Sequence, residues 1–482
     1  MNKLYFGDNL EILKSLYKEY SQGFIDLIYI DPPFNSKRNY NILFENAELT
    51  NTKAQKEAFA DTWSNVSYKD TLDKIADLNQ NLFYFLKALD RISTSKSEVS
   101  YLTTMTVRII YMHKLLKDTG SFYLHCDPTM SHYLKMICDF IFNKKNFRNE
   151  IIWWYHDPSG KTDRRFMRKH DIILFYAKND NKYYFNVDAV RTPYKKGTFE
   201  QGEKGIISFG RPTKIHLLGR HPEDVWEIPI INSMAKERLG YPTQKPELLL
   251  ERVIKASSNE GDLVADFFCG CGTTVAVAQR LKRNWLGVDI SHLAIRLVAN
   301  RLIGTFGKNI RNTFSIQGFP KDIDSAKELA ENTSGGRLKF EEWIVEVMLH
   351  GVLNENRTQM GYDGYFTFDL QGEKQIGMIE VKSGDATPTK LNHFIKTFEE
   401  KNGSIGVFVC FKEKITKNMQ IIAKEQGYYN ETIFGRQYSK IQIISVEDLL
   451  NGITIDMPHS TKTTFKVASR DIPLTDQTKL KL

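Results

Sequence analysis

The sequence predicts an α/β protein made of two successive domains, each organised around a mainly parallel sheet. Three observations carry this expectation. Residues 4–30 read as strand, helix, strand: LYFGD is short and apolar, Leu10, Leu13, Leu16 and Tyr17 share one helical face, and FIDLIYI is a buried-strand run. Residues 245–290 repeat the alternation, with an amphipathic helix in KPELLLERVIKASS, a strand in GDLVADFF, a glycine-rich turn, a helix in TTVAVAQRLKR and a strand in NWLGVDI. After ENTSGGR, residues 331–337, the pattern starts afresh.

Between these blocks, TVRIIYMHKLLKDTGSFYLHCD reads as helix, glycine turn and strand, and NEIIWWY and KHDIILFYAKN as two further strands. Residues 35–100 are polar and rich in Asn, Thr and Lys, and read as a long insertion with some helix. Residues 180–225 are irregular and basic, carrying Arg191, Lys195, Lys196, Lys204, Arg211, Lys214 and Arg220. The first domain is therefore expected over 1–330, a linker over 331–337, and a second, smaller α/β domain over 338–482. The latter begins with the helix KFEEWIVEVML, continues with strands around GYFTFDL and IGMIEVK, and adds the helix LNHFIKTFEEKN and the strand SIGVFVCF.

Composition narrows the function. With 41% hydrophobic and 26% charged residues in 482, the chain is neither disordered nor fibrous. No stretch approaches the roughly 20 uncharged apolar residues of a membrane span, and MNKLYFGDNLEIL lacks the apolar core of a secretory signal. Five cysteines fit a reducing compartment and a cytoplasmic location, and Cys269 with Cys271 do not complete a zinc site. The charge is asymmetric: residues 1–330 hold 47 basic and 38 acidic residues, whereas residues 331–482 hold 19 and 20. A polyanion partner for the first domain is expected.

Three motifs carry chemistry. Asp31-Pro32-Pro33-Phe34 closes the FIDLIYI strand, and open α/β sheets bind ligands at the carboxyl ends of their strands. An exocyclic base amine needs acceptors for its protons. The Asp31 carboxylate and the Pro32 carbonyl supply them on a backbone stiffened by proline, and Phe34 offers a flat face to an unstacked base. Asp266-Phe267-Phe268-Cys269-Gly270-Cys271-Gly272-Thr273-Thr274 joins strand to helix, so that glycines admit a ligand and the helix start offers N–H groups to a carboxylate. Asp289, 17 residues after Gly272 at the next strand end, can take ribose hydroxyls or cap a helix. Tyr241-Pro242-Thr243-Gln244-Lys245-Pro246-Glu247 reads locally as a loop leading into a helix with proline at its start.

Together these residues resemble the beta-class, circularly permuted amino-DNA methyltransferases, the DNA methylase N-4/N-6 family, in which the DPP[YF] motif precedes the glycine-rich motif. The resemblance covers roughly residues 1–310. It departs from the family pattern at Phe267, where proline is usual, and at Cys271 between the glycines. It implies a Rossmann-like seven-stranded sheet, circularly permuted, with the LYFGD and FIDLIYI strands beside the later GVDI strand. It also implies S-adenosylmethionine as cofactor and double-stranded DNA as partner, a homodimer or a separate restriction subunit being further partners the family admits. On matching positions it implies that Asp31, Pro32, Pro33 and Phe34 hold and activate the base. Asp266, Phe268, Gly270, Gly272, Thr273 and Thr274 would cradle the methionine part, and Asp289 and Ile290 the ribose and adenine. Asp8 and Asn9 would lie near the adenine, and Thr243 and Lys245 would close the methionine pocket. Asp rather than Ser at position 31 favours adenine N6 over the alternative, cytosine N4. The implied activity is site-specific DNA methylation within restriction–modification or phage defence. From its Arg and Lys content and weak core periodicity, 180–225 is the expected target-recognition segment, with the insertion at 35–100 as second choice. A catalytically silent DNA-binding protein is the rival. Trp153, Trp154 and Tyr155 are expected mainly in the core.

In the second domain, Asp363 and Glu380-Val381-Lys382 fall near successive strands. Two carboxylates converging across a hairpin can hold magnesium while the lysine stabilises charge. The segments resemble the restriction-endonuclease-like branch of the PD-(D/E)xK superfamily, which implies Asp363 and Glu380 as metal ligands, Lys382 as a nuclease residue and Glu346 as a further ligand. An active nuclease and a degenerate DNA-binding version both fit.

Overall fold

The computed structural model describes residues 2–33, 68–93, 95–155, 164, 166–194, 206–208, 211–213, 216–232, 234–241, 243–331, 336–354, 360–370, 373–430 and 436–458. The chain divides into two compact units that part between Gln317 and Gly318. Phe34, Lys195, Lys196, Lys204 and Lys214 lie outside the described residues.

The first unit is a nine-stranded mixed sheet rather than a seven-stranded one. In chain order its strands are β1 (Asn2–Phe6), β2 (Ile25–Ile30), β3 (Leu116–Cys126), β4 (Phe147–Trp154), β5 (His170–Ala177), then, after a short separate hairpin of β6 (Ile206–Ser208) and β7 (Arg211–Thr213), β8 (Val225–Glu227), β9 (Leu263–Asp266), β10 (Asn284–Asp289) and β11 (Phe314–Gln317). In space the order is β11-β1-β10-β9-β2-β3-β5-β4-β8. The first six of these run parallel, and β5 reverses the direction. The strand that opens the chain thus lies between two of the last three in the unit. LYFGD pairs with the GVDI strand as expected, but FIDLIYI does not: β2 lies between β9 and β3.

Helices α1 (Asn9–Glu19), α2 (Tyr68–Leu78), α3 (Gln80–Ile92), α4 (Lys96–Leu115) and α5 (Ser131–Phe142) pack around one apolar core with β2, β3 and β5. The polar composition of 35–100 concealed this. Leu72, Ile75, Leu82 and Leu86 of α2 and α3 are core residues, spaced at helical intervals between solvated charges. Later come α6 (Glu247–Ser257), α7 (Thr273–Arg280) and α8 (His292–Phe306).

The second unit begins before the expected linker. Helix α9 (Ile323–Glu331) places Ala326 at the centre of a core with Phe340, Trp343 and Ile344, so the boundary at residue 330 is moved back to 317/318. The apolar face of α9 belongs to this second core, and Gly/Ser content alone misplaced the break. Short α10 (Gly336–Glu342) runs into a π-helical turn at Trp343–Met348. A five-stranded sheet of order β12-β13-β14-β15-β18 follows, made of β12 (Val352–Leu353), β13 (Gly364–Leu370), β14 (Glu373–Lys382), β15 (Ile405–Cys410) and β18 (Ile441–Ser445). Strands β16 (Tyr428–Asn430) and β17 (Gln437–Ser439) pair separately, and α11 (Pro388–Glu400) and α12 (Lys417–Glu425) cover one face.

Candidate active site

The carboxyl ends of β2, β3, β9 and β10 and the amino end of β5 bring one set of polar side chains together, as open α/β sheets do. Asp31 follows β2 directly. Lys245 Nζ donates to its Oδ2, and its Oδ1 lies 3.9 Å from His125 Nδ1. Pro32 is buried and Pro33 half-buried behind it. Lys245 was expected at the methionine pocket. Its amine donates to the carboxylate of the DPP motif, while Thr243 is solvent-exposed.

Asp266 ends β9 and is used inward. Its Oδ1 accepts from Phe268 N at 3.0 Å and its Oδ2 from the Thr274 hydroxyl at 2.6 Å. Burial pushes its carboxyl up to about 7, against those two hydrogen bonds, and the charges of Asp31 and Asp289 add to the rise. The turn that follows needs its glycines. Gly270 and Gly272 sit at φ +49° and +73°, and a Cβ on Gly272 would stand 2.7 Å from Val298 Cγ2. A Cβ on Gly270 would meet the Tyr241 ring at 3.3 Å. Thr273 gives its hydroxyl to structure rather than to a ligand: Arg301 Nη1 donates to it at 3.0 Å and Arg301 Nη2 to Glu247 Oε1 at 2.6 Å. Arg280 also pairs with Glu247, so the start of α6 is tied to the glycine turn.

Asp289 ends β10. Gly270 N donates to its Oδ2 at 2.9 Å and Ser291 N to its Oδ1 at 2.8 Å. Burial pushes it up to about 6 despite these bonds. A carboxylate has about four acceptor positions, so two oxygens each holding a backbone N–H still have room for a pair of hydroxyls. The donor set of Asp289, Gly270 and a half-buried Ile290 and Phe268 therefore fits a nucleoside bearing a cis-diol. Asp8 is engaged otherwise. It caps α1 through Leu10 N at 2.8 Å and accepts from buried Arg108 at 3.0 Å, while Asn9 donates to Phe267 O at 2.8 Å. Both residues act here as braces that hold the glycine turn against α4.

Residues the sequence did not single out complete the site. Tyr29, two positions before Asp31 on the same face of β2, lies 2.8 Å from His125 Nδ1. His125 Nε2 lies 3.3 Å from Asp171 Oδ2, and Tyr155 donates to Asp171 Oδ1 at 3.4 Å. Trp153 is buried, packs edge-on to His125 and donates to Ile228 O at 2.8 Å, as the core expectation held; Trp154 is partly exposed. The one available signal was a histidine inside an otherwise apolar strand, FYLHC. In the basic segment, Arg191 is almost buried and bound to Asp188 and Gly219 O, which removes it from base reading, and Arg220 pairs with Glu223.

In the second unit, Asp363 Oδ2 accepts from Val381 N at 2.7 Å and Lys382 donates to Glu380. Burial, then the charge of Asp363, push Glu380 up to about 8; Lys382 opposes them and Glu341 adds to the rise. An acid of the preceding helix, Glu341, acts on Glu380. Among the described residues, no group of three or more His, Cys, Asp and Glu is disposed to hold a metal ion. No described helix is long and apolar enough to cross a membrane.

The N6/N4 family model for DNA methylases matches residues 25–300, more than half of the chain, including Asp31, His125, Asp171, Lys245, Asp266 and Asp289. This chain belongs to the N6/N4 DNA methylase family. Among its relatives, the Type II methyltransferase M.HpaI of Haemophilus parainfluenzae is 34% identical over 194 residues, 40% of this chain and 57% of that protein. The DNA adenine methyltransferase YhdJ of Escherichia coli is 27% identical over 297 residues, 61% of this chain and 81% of that protein. A crystal structure of an M1.HpyAVI–SAM complex aligns with 63% of this chain and 99% of its own at 18% identity and a TM-score of 0.36.

Proposed function

We propose that the first unit of this N6/N4 methylase transfers a methyl group from S-adenosylmethionine to the N6 amine of adenine in double-stranded DNA, in a restriction–modification or phage-defence setting. The observation that carries the reading is the seating of Asp31 at the carboxyl end of β2, beside the glycine turn and the Asp289 carboxylate on β9 and β10. The order of Asp31 before the glycine turn is that of the permuted beta class. The cofactor supplies an electrophilic methyl on a sulfonium. Asp289 and the backbone of Gly270 would hold its ribose, and Tyr241 would border its path over the turn. Asp31 and the Pro32 carbonyl accept from the amine and leave its lone pair aimed at the methyl, so orientation is the main catalytic contribution. Lys245 holds the seat of the amine on Asp31 and must yield it when the base arrives. Adenine is favoured because position 31 is Asp and because YhdJ is described as a DNA adenine methyltransferase. The test is to incubate the full chain with labelled S-adenosylmethionine and mixed-sequence duplex DNA, then digest to nucleosides. N6-methyl-2′-deoxyadenosine is expected. N4-methyl-2′-deoxycytidine would transfer the reading to the other amine, and an absence of label would leave a silent DNA-binding protein.

For the second unit the reading is a nuclease-like module in which Asp363 and Glu380 would hold Mg²⁺ and Lys382 would neutralise developing charge. Its support is that the buried Glu380 carboxylate, paired with Lys382, feels the charge of the buried Asp363, an acidic pair that a hard cation suits.

A further inference from the structure

The methyl-transfer reading leaves one buried polar chain without a task. We infer that His125, anchored by Asp171, is a positioning residue that sets Asp31 and removes from it the proton that the methylated amine releases. The inference rests on the methyl-transfer reading of Asp31.

His125 is wholly buried in the middle of the strand layer, where an imidazole requires a partner at each nitrogen. It has them on both sides: Tyr29 Oη at 2.8 Å from Nδ1 and Asp171 Oδ2 at 3.3 Å from Nε2. These partners fix the tautomer. Burial, then the charges of Asp31, Asp266 and Asp171, hold the Tyr29 phenol well above its ordinary value, so it stays protonated and donates to Nδ1. Asp171 is held below its ordinary value: burial opposes this, but the His125 hydrogen bond and charge, Lys245 and the Tyr155 hydroxyl outweigh it. Nε2–H therefore donates to Asp171, and the Nδ1 lone pair, held at rest by the Tyr29 hydroxyl, lies 3.9 Å from Asp31 Oδ1 and opens to it when that hydroxyl turns away. An acid that orients an imidazole whose second nitrogen faces the reacting group is the wiring of a general base.

The proton count requires such a group. As the N–CH₃ bond forms and the S–CH₃ bond breaks, the sulfonium becomes a neutral thioether. The amine nitrogen, now carrying the methyl and both hydrogens, is cationic until it sheds one. Asp31 is the nearest acceptor. Left protonated, it cannot orient the next amine. A proton passed from Asp31 Oδ1 to Nδ1 gives an imidazolium flanked by the Asp31 and Asp171 carboxylates, with the Tyr29 hydroxyl turning from donor to acceptor. The proton then leaves by the partly exposed edge of Asp171. The charged and titratable groups around His125 are Tyr29 and Asp31 from β2 and its end, Asp171 from β5, and Asp127 next on its own strand. Lys245 and Asp266 stand behind Asp31.

The experiment compares the full chain with His125→Gln and Asp171→Asn in steady-state methylation of duplex DNA across pH, alongside binding of S-adenosylmethionine and DNA by calorimetry. Gln keeps a donor toward Asp171 but accepts no proton. The expected result is a kcat lowered on the order of a hundredfold in His125→Gln. Cofactor and DNA dissociation constants should stay within about twofold, and the acid limb of the wild-type rate profile should vanish. A third variant, His125→Ala, opens a space the size of the lost ring, and added imidazole should restore part of its rate. The inference is overturned if His125→Gln keeps the wild-type rate and pH profile. It is equally overturned if its loss of rate merely tracks lost cofactor binding or lost thermal stability with no imidazole rescue. If the unaltered chain methylates no DNA, the functional reading falls and this inference with it. An active wild type with an indifferent His125→Gln removes only the relay.

Discussion

Each unit sets a carboxylate against a lysine, Asp31 against Lys245 in one and Glu380 against Lys382 in the other, yet the two arrangements differ in how their charge is balanced. Around Asp31 every acid has its own donors. Asp266 has Phe268 N and the Thr274 hydroxyl, Asp289 has Gly270 N and Ser291 N, and Asp171 has His125 and Tyr155. Around Glu380 the neighbouring acids also have donors, Asp363 in Val381 N and Glu341 in Arg337, yet burial and then their charges outweigh Lys382 and push Glu380 up to about 8. The first site is preorganised by its own backbone and awaits neutral or cationic groups. The second carries a surplus of acid that a proton relieves now and that a cation would relieve in use.

The sharpest way to break this contrast is Asp31→Ala. If Asp31 is the preorganised acceptor, DNA methylation should fall on the order of a hundredfold or more while S-adenosylmethionine affinity stays the same, since the glycine turn is untouched. Radiolabel transfer and calorimetry on one preparation check both halves, and near-normal turnover would remove Asp31 from the mechanism. Asp289→Ala should act on the opposite property, weakening cofactor binding about ten- to a hundredfold by removing charged acceptors worth roughly 1.5–3 kcal/mol. Wild-type affinity should also increase as pH rises through about 6, where Asp289 ionises. A flat dependence would leave Asp289 only as the acceptor of Gly270 N and Ser291 N.

A smaller effect is expected from Gly272→Ala. Its φ of +73° and a Cβ 2.7 Å from Val298 Cγ2 should lower stability by about 1–3 kcal/mol, read as a fall in the melting temperature of the first unit. The finest test is in the second unit. The Glu380 carboxyl lies above its ordinary 4.5, so the stability it contributes is complete below about pH 4.5 and is lost as pH rises through about 8. Glu380→Gln should therefore melt above the wild type at pH 9 and level with it at pH 4. Magnesium should raise the melting temperature of the wild type and not that of the variant. Differential scanning calorimetry at the two pH values reads both, and equal curves at pH 9 would mean that the acid surplus is relieved elsewhere.

What was legible in the sequence was whatever chemistry a strand end writes next to itself. FIDLIYI followed by Asp31 and two prolines, and GDLVADF followed by a glycine turn, each place a functional group within a few residues of the run that positions it. The His125 chain was not legible, because Tyr29, His125 and Asp171 stand on three strands whose adjacency is set by sheet order and register. Period-two alternation tells which face Tyr29 shares with Asp31, but not that β3 is the neighbour. The contact of Lys245 with Asp31 was not legible for the same reason: the two stand 214 positions apart in the chain. The unit boundary was misread because glycine and serine at 333–336 resemble a hinge, whereas Ile323, Ala326 and Leu329 form an apolar face whose owner cannot be read locally.

The place of β1 has a consequence for how this protein is made. Its two neighbours, β10 and β11, end at Asp289 and Gln317, so β1 is made long before the strands it pairs with. At roughly 5–20 residues per second, synthesis leaves β1 and its following helix unpaired for about 15–60 s. Throughout that interval Gly7 lacks the Asp289 carbonyl it will donate to, and the brace from Asn9 to Phe267 cannot form. The cofactor cradle therefore stays incomplete until synthesis has passed Asp289. A ribosome stalled before residue 284 carries an open sheet edge at β9, which makes that interval the one in which this chain most depends on chaperones.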